Sequence, residues 1–183
     1  MNSSERRCDP AWRLIEFVEV RSSGARIGIT PCPGTGRFPS ARERWQPDLA
    51  ADLDVIAAWG AAAMVTLIRA GELAEPGLAD LRREAEARGM QWHHAPIADG
   101  SVPDAAFEAR WQDVGDNVRG LLREGRSVLL HCLGGLGRSG TVGARLLVEL
   151  GEDPRVAIER IRRARSGAIE TIEQERYVLA CRL

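Results

Sequence analysis

A glycine-rich stretch between Cys132 and Arg138 contains the residue types in this sequence that are best suited to chemistry. Three of the five intervening residues are glycines, whose flexible backbone lets successive N–H groups point inward around an anion. An apolar run at 127–131 predicts a strand before the stretch, and a helix is expected to begin at once after it, adding its N-terminal N–H groups. The Arg138 guanidinium can hold two oxygens of one phosphate. The stretch therefore predicts a phosphate-binding loop formed by Leu133, Gly134, Gly135, Leu136, Gly137 and Arg138.

Cys132 ends the predicted strand, which indicates that its sulfur faces the bound phosphate. The positive end of a helix and a nearby arginine both favour the thiolate, the nucleophilic form of cysteine. Such a thiolate would attack phosphorus and form a covalent phosphocysteine, while the loop N–H groups and Arg138 stabilise charge on the equatorial oxygens. His131 is expected to orient the loop through hydrogen bonds rather than to touch substrate. The sequence thus predicts cysteine-dependent phosphoryl transfer.

Three other interpretations of these glycines compete with this one. Residues 135–140 match the G-x-G-x-x-G pattern of dinucleotide sites, but the 43 residues after Gly140 appear helical and leave no second strand for that unit. A nucleotide-triphosphate loop requires a lysine, and all 25 basic residues of this chain are arginines. A structural turn beside an inert buried cysteine would not require histidine, cysteine, arginine and serine together at these offsets.

The elements around the loop alternate between apolar strands and amphipathic helices, with loops at 31–40 and 97–103. This alternation predicts a single α/β domain with a central, mainly parallel twisted sheet flanked by helices on both faces. Residues 1–25 are assigned to an N-terminal extension and first strand, and residues 26–183 to a catalytic core. The predicted strands are 12–20, 26–30, 63–68, 90–94 and 127–131, and the predicted helices are 47–59, 76–88, 104–124, 141–150, 154–165 and 170–181.

The composition excludes several classes of partner for these 183 residues. A net charge of −1 gives no support to nucleic-acid binding, and no apolar run reaches the ~20 residues of a membrane helix. The polar N-terminus lacks the apolar stretch of a signal peptide, so a cytoplasmic location is expected. We also expect a monomer with no metal and no cofactor, because no metal-ligand set is apparent. The cysteines form no C-x-x-C pair and stand at Cys8, Cys32, Cys132 and Cys181.

The stretch His-Cys-Leu-Gly-Gly-Leu-Gly-Arg-Ser-Gly-Thr at 131–141 resembles the HCx5R[ST] signature loop of the cysteine-dependent protein phosphatases. Other segments resemble the dual-specificity branch of that superfamily, and most of all the kinase-associated phosphatase (cyclin-dependent kinase inhibitor 3) family. Together these segments cover most of the chain from Gly28 to Tyr177. The resemblance implies a dual-specificity phosphatase fold and hydrolysis of phosphotyrosine and/or phosphoserine/threonine in a phosphorylated protein or peptide. The similar segments are 28–34, 66–73, 93–104 and 165–174.

The same resemblance implies roles for residues outside the phosphate loop. Ser139 would donate a hydrogen bond to the sulfur, although a helix N-cap is an equally good interpretation of a serine there. Asp99 would be the general acid that protonates the leaving oxygen. Gln174 and Glu170 occupy the segment that positions the hydrolytic water. Glu170 stands where this family usually has a glutamine, so its carboxylate could act as a weak base or could repel phosphate.

Two aspartates compete for the role of general acid. Asp99 stands beside Gly100 in a loop, which would let its side chain project over the substrate. Asp104 follows Pro103 and precedes a predicted helix, a position typical of an N-cap. The sequence therefore favours Asp99 as the acid and assigns Asp104 to the helix start.

A second function class stays open beside a protein phosphatase. A phosphatase or binding module for small phosphorylated metabolites or lipids could share the same loop. Loops that bind highly charged head groups are expected to carry extra basic residues, whereas the five residues between Cys132 and Arg138 are all leucine or glycine. The loop composition therefore favours a phosphorylated protein over a polyphosphorylated small molecule.

Overall fold

A computed structural model describes residues 15–36, 47–75 and 77–182 and contains one five-stranded sheet in the order β1-β2-β5-β3-β4. β1 is antiparallel to β2, and the other neighbouring strands are parallel. β5 lies at the centre, where its last residue, His131, is paired in register with Thr30 of β2 and Thr66 of β3. The carboxyl ends of the parallel strands therefore meet at one edge. The strands are β1 (Glu16–Glu19), β2 (Arg26–Thr30), β3 (Ala61–Thr66), β4 (Gln91–His94) and β5 (Ser127–His131).

Helices cover both faces of this sheet, because strand side chains alternate between two apolar layers. Met64 and Leu129 pack with residues of α1 and α3 on one face. Val65 and Leu130 pack with residues of α4, α5, α6 and α7 on the other. This arrangement confirms the predicted α/β domain with a mainly parallel sheet. The helices are α1 (Leu49–Trp59), α2 (Ala70–Leu73), α3 (Leu81–Ala87), α4 (Ala105–Arg123), α5 (Gly137–Glu149), α6 (Pro154–Ala164) and α7 (Ile172–Ala180).

α5 begins at Gly137, four residues before the predicted start at 141. The glycines disfavour a helix by propensity, but tertiary packing overrides that preference here. A side chain at position 140 would approach Ala168 and the backbone of Ile169 to 3.0 Å, so glycine lets α5 pack closely against that segment. As a consequence, Arg138 and Ser139 lie in the first turn of α5.

Several other predicted boundaries also differ from the structure; the strand predicted at 63–68, for example, is found at Ala61–Thr66. The helix predicted at 76–88 is found only at α3, because Gly77 adopts a left-handed φ of 92° and the chain turns before Leu81. Between β3 and α3 lies the single turn of α2, which is too short to produce a periodic apolar pattern. The strand predicted at 12–20 appears as Glu16–Glu19, and residues 12–14 lie outside the described part of the chain. None of the helices in the described ranges has the length and apolar character needed to cross a membrane.

Arg145 of α5 joins three helices on one face of the sheet. Its guanidinium pairs with Glu108 of α4 at 2.6 and 2.9 Å and with Glu149 at 2.7 Å, and it donates to the hydroxyl of Tyr177 in α7. It also lies 5.4 Å from the centre of the Trp111 ring. Because the Arg145 side chain is only 13% exposed, its charge depends on these partners rather than on water.

We expect Arg145→Ala to lower the free energy of unfolding by about 2–4 kcal/mol, because it removes the cationic partner of Glu108 and leaves the largely buried Glu149 paired with Arg119 alone. Arg145→Lys should recover little of this loss, since an ammonium cannot contact two carboxylates and a hydroxyl in the same geometry. Urea unfolding of both variants measures the effect. Arg123→Ala, at the exposed end of α4, serves as the control and should change stability by less than about 0.5 kcal/mol. Equal losses for Arg145→Ala and Arg123→Ala would contradict this role.

Candidate active site

The phosphate loop folds against the end of β2, immediately beyond the point where β2 and β5 are paired. The backbone N–H of Cys32 donates to the carbonyl of Leu133 at 3.2 Å. Gly135 adopts a φ of 71°, and any side chain there would clash with the backbone of Thr30 and Pro31. Glycine at this position therefore allows both the curl of the loop and its close contact with the sheet.

The sulfur of Cys132 lies inside this curl and is nearly inaccessible, since the residue is 3% exposed. The backbone N–H of Gly135 donates to Sγ at 3.2 Å, and the hydroxyl of Ser139 lies 3.4 Å from it. The N-terminus of α5 begins at the end of the same loop. Hydrogen-bond donors and a helix N-terminus both stabilise a thiolate more than a thiol.

The N-cap interpretation of Ser139 is wrong. Leu136 occupies the N-cap position of α5, because the helix begins at Gly137 and not at Thr141. Ser139 is fully buried in the first turn, where its hydroxyl faces the Cys132 sulfur. This placement leaves the hydrogen bond to sulfur as the remaining interpretation of this serine.

Arg138 enters the site as a buried cation whose side chain is 1% exposed. Nη1 donates to both carboxylate oxygens of Glu72 at 3.0 and 2.9 Å and to the carbonyl of Ile97 at 3.3 Å. Nη2 donates to Glu72 at 3.0 Å, while the buried Nε has no hydrogen-bond partner among the described residues. Burial alone would lower the pKa of Arg138, but the hydrogen bonds to Glu72 and the negative charges around the guanidinium together raise the pKa above its usual value. The arginine is therefore held as a cation in one orientation.

Glu72 is a residue of this site that the sequence patterns did not single out. It lies on the single turn of α2, where its carboxylate also accepts the backbone N–H of Arg69 at 2.8 Å. Desolvation raises the pKa of Glu72, but the hydrogen bonds from Arg138 and Arg69 lower it overall, so the carboxylate stays ionised. A usable signal existed in the sequence: an arginine buried at the end of one parallel strand requires a carboxylate, and Glu72 follows the end of the neighbouring strand.

The two candidate acids lie in different environments. Asp99 belongs to the loop after β4, and its Oδ1 lies 3.0 Å from Nη2 of Arg138 while the side chain stays 75% exposed. Asp104 accepts the backbone N–H of Phe107 at 2.8 Å as the N-cap of α4. The fold thus brings Asp99 to the phosphate loop and assigns Asp104 to the helix start.

Glu170 and Gln174 lie over the other side of the loop, at the first residue of α5. A side chain on Gly137 would collide with the Glu170 carboxylate and would approach the Gln174 amide to 3.0 Å. Gln174 is fully buried: its Oε1 accepts the N–H groups of Glu170 and Thr171 at 2.9 and 3.3 Å. Its Nε2 donates to the carbonyl of Ser101 at 3.2 Å. Gln174 therefore connects the segment of Glu170 with the loop that contains Asp99.

Two further side chains support the loop from behind. Arg165 donates to the carbonyls of Gly134, at 3.3 Å, and Gly135, and it pairs with Glu16 of β1. These contacts hold the two carbonyls on the outside of the loop. His131 is fully buried, and its Nε2 lies 2.8 Å from the hydroxyl of Thr66. Burial lowers the pKa of His131 to about 4, so the ring is neutral near pH 7.

The other described cysteines differ from Cys132 in their surroundings. Burial raises the pKa of Cys32 to about 12, and the charge of Glu72 acts in the same direction. Burial also raises the pKa of Cys181. Both are therefore thiols near neutral pH, whereas Cys8 lies outside the described residues.

Comparison with known proteins identifies similar chains and similar folds. The family model for cyclin-dependent kinase inhibitor 3 matches residues 14–158, a range that includes the phosphate loop. Human cyclin-dependent kinase inhibitor 3 is 35% identical over 158 residues, which is 83% of this chain and 69% of that protein. A crystal structure of kinase associated phosphatase with its catalytic-site cysteine replaced by serine has a TM-score of 0.75 and 29% identity, covering 92% of this chain and 97% of that one. Tk-PTP in its active form has a TM-score of 0.65 and 31% identity, over 92% and 95% of the two chains.

We expect Glu72→Gln to lower kcat/KM for an aryl phosphate about 10- to 100-fold, because Arg138 loses the bidentate partner that fixes its orientation. Glu72→Asp should not restore the activity, since the shorter side chain cannot reach both guanidinium nitrogens. Steady-state kinetics measures the effect, and thermal unfolding verifies that the variants are folded. Glu75→Gln, which removes a carboxylate three residues further on, is the control and should retain wild-type turnover. Equal kinetics for Glu72→Gln and Glu75→Gln would contradict the positioning role.

Proposed function

The chain belongs to the cyclin-dependent kinase inhibitor 3 family and is a protein phosphatase, and from this we propose that it hydrolyses phosphotyrosine and/or phosphoserine/threonine through a phosphocysteine on Cys132. One observation carries the proposal: the Cys132 sulfur lies between the Gly135 N–H and the Ser139 hydroxyl, in a loop that ends at Arg138. The proposed substrate is a phosphorylated protein or peptide. The net charge of −1 and the loop of leucines and glycines support this choice over nucleic acids and highly charged head groups. The proposal includes a monomeric enzyme in the cytoplasm.

In the first step, the Cys132 thiolate attacks phosphorus in line with the leaving oxygen. The P–S bond forms as the P–O bond to the leaving group breaks. The N–H groups of residues 133–138 and the Arg138 guanidinium bind the three equatorial oxygens, whose charge is greatest in the transition state. Asp99 gives its proton to the leaving oxygen. Its position supports this role, because it is exposed at the mouth of the site and within 3.0 Å of Arg138.

In the second step, water attacks the phosphocysteine and the P–S bond breaks. The Ser139 hydroxyl, 3.4 Å from the sulfur, donates a hydrogen bond to the departing thiolate. Asp99, deprotonated by the first step, and Glu170 are the two carboxylates beside the loop that can accept a proton from the water. The Gln174 amide bonds three backbone groups, so we assign it to holding Glu170 and the Asp99 loop in place.

We expect Cys132→Ser to abolish turnover of an aryl phosphate while phosphate binding is retained, because the loop N–H groups and Arg138 remain. Turnover is followed by release of the phenolate, and binding of a phosphotyrosine peptide by calorimetry. Cys181→Ser replaces a half-buried cysteine at the end of α7 and should keep wild-type activity. Turnover of Cys132→Ser comparable to that of the wild type would refute the mechanism. The same assay with phosphoserine, phosphothreonine and inositol phosphate substrates separates the proposed protein substrate from a small phosphorylated metabolite or lipid.

We expect Asp99→Asn to lower kcat about 10²–10⁴-fold and to remove the decline of kcat at alkaline pH, because that decline reports loss of the proton from the general acid. The loss should be smaller for a leaving group that departs without protonation. Asp104→Asn is the matched control: asparagine caps helices about as well as aspartate, so both stability and the pH profile should be retained. The measurement is kcat against pH with one good and one poor leaving group. If Asp104→Asn loses the alkaline decline and Asp99→Asn keeps it, the assignment is wrong.

A further inference from the structure

A cavity of about 400 Å³ opens directly beside the phosphate loop. Its walls come from the connection between β2 and α1, from α2 and the turn that follows it, and from the loop itself. Two of the wall residues also belong to the active site: Leu133 follows the nucleophile, and Glu72 holds Arg138. The cavity therefore borders the proposed phosphate site. Its walls include Thr35, Pro47, Glu72, Glu75, Leu78 and Leu133.

The cavity walls combine apolar and acidic side chains. Pro47, Leu78 and Leu133 present aliphatic surface, and Glu72 and Glu75 present carboxylates. The Glu72 carboxylate is already balanced, because it pairs with Arg138 and lies 3.8 Å from Arg69.

Glu75 differs from Glu72 in its partners. It is exposed, and its carboxylate forms no ion pair or hydrogen bond with another residue in the described ranges. Aliphatic side chains beside a carboxylate that has no partner within the described ranges match a long basic side chain, whose methylene stem packs on apolar surface while its cationic head stays at the polar rim. A neutral side chain would leave the carboxylate unpaired, and an acidic one would be repelled.

We propose that this cavity is a substrate subsite that binds an arginine or lysine side chain flanking the phosphorylated residue. The inference rests on the proposed function and narrows it to phosphoproteins with a basic residue near the phosphorylation site. Glu75 supplies the charge that selects this residue, and Leu78 and Leu133 supply the surface for its stem. Glu75 does not contact the reacting atoms, so it determines which protein is bound and leaves the chemical steps unchanged.

The test compares kcat/KM for phosphotyrosine peptides in which one flanking position at a time is arginine, norleucine or glutamate. In the wild type, arginine should exceed norleucine about three- to fivefold at one flanking position, which is the size expected for a partly exposed ion pair. Glu75→Gln should reduce this preference to less than about twofold, and Glu75→Arg should make the glutamate peptide the better substrate. The preference should also weaken near 1 M salt, where the screening length falls to ~3 Å.

Controls separate this inference from the proposed function. Glu159→Gln removes one exposed carboxylate from α6, a helix that contributes no residue to the cavity walls, and should keep the preference for arginine. All variants should hydrolyse a small aryl phosphate at the wild-type rate, since that substrate has no flanking residue. If peptides are hydrolysed equally well with any flanking residue, or if Glu75→Gln keeps the preference for arginine, the subsite is refuted. The proposed hydrolysis of phosphorylated proteins is not contradicted by that result. If the aryl phosphate is hydrolysed and no phosphopeptide is, both proposals fail.

Discussion

The pairing of Arg138 with Glu72 is the interaction on which the rest of the active site depends. A guanidinium removed from water costs several kcal/mol unless a carboxylate and further hydrogen bonds compensate it. Here Glu72 follows β3, the Ile97 carbonyl follows β4, and Arg138 follows β5. The three neighbouring parallel strands β5, β3 and β4 therefore end beside one another and place these groups at the same edge of the sheet. The strand order is therefore a condition for burying the charge that we propose binds phosphate.

Active-site residues that lie close together in the sequence were predictable, whereas contacts between residues that only the fold brings together were not. The Cys132 loop was predictable because its glycines, cysteine and arginine all lie within the contiguous segment 132–138. The distinction between Asp99 and Asp104 also followed from immediate neighbours, a glycine for one and a helix start for the other. Glu72 lies 66 positions from Arg138, on a helix of one turn that leaves no periodic pattern. The early start of α5 escaped prediction because packing against Ala168 outweighs the low helix propensity of glycine.

One side chain supports both of the regions to which we assign the two proposed chemical steps. Gln174 accepts the backbone N–H of Glu170, on the side proposed for attack by water, and donates to the carbonyl of Ser101, in the loop that contains Asp99, the proposed general acid. Ile169 adopts a left-handed φ of 60°, which is unfavourable for a β-branched residue, directly before Glu170. Local strain of this kind persists where surrounding contacts determine the conformation. The contacts here are the Ile169 N–H to Leu136 and the Arg162 guanidinium to the Ile169 carbonyl.

The pair between Arg165 and Glu16 sets a practical boundary for engineering this enzyme. β1 lies at the outer edge of the sheet, and its sequence precedes the motif-bearing segments from Gly28 onward, although the family model already includes it from residue 14. A shortened gene designed from the full family match would keep Glu16, whereas one designed from those motifs alone would begin at Gly28 and would not encode it. Arg165 would then lose its carboxylate partner while still bonded to the carbonyls of Gly134 and Gly135. Truncations and N-terminal fusions should therefore start upstream of Glu16. Its carboxylate pairs with Arg165, and Arg165 in turn bonds the carbonyls of the phosphate loop.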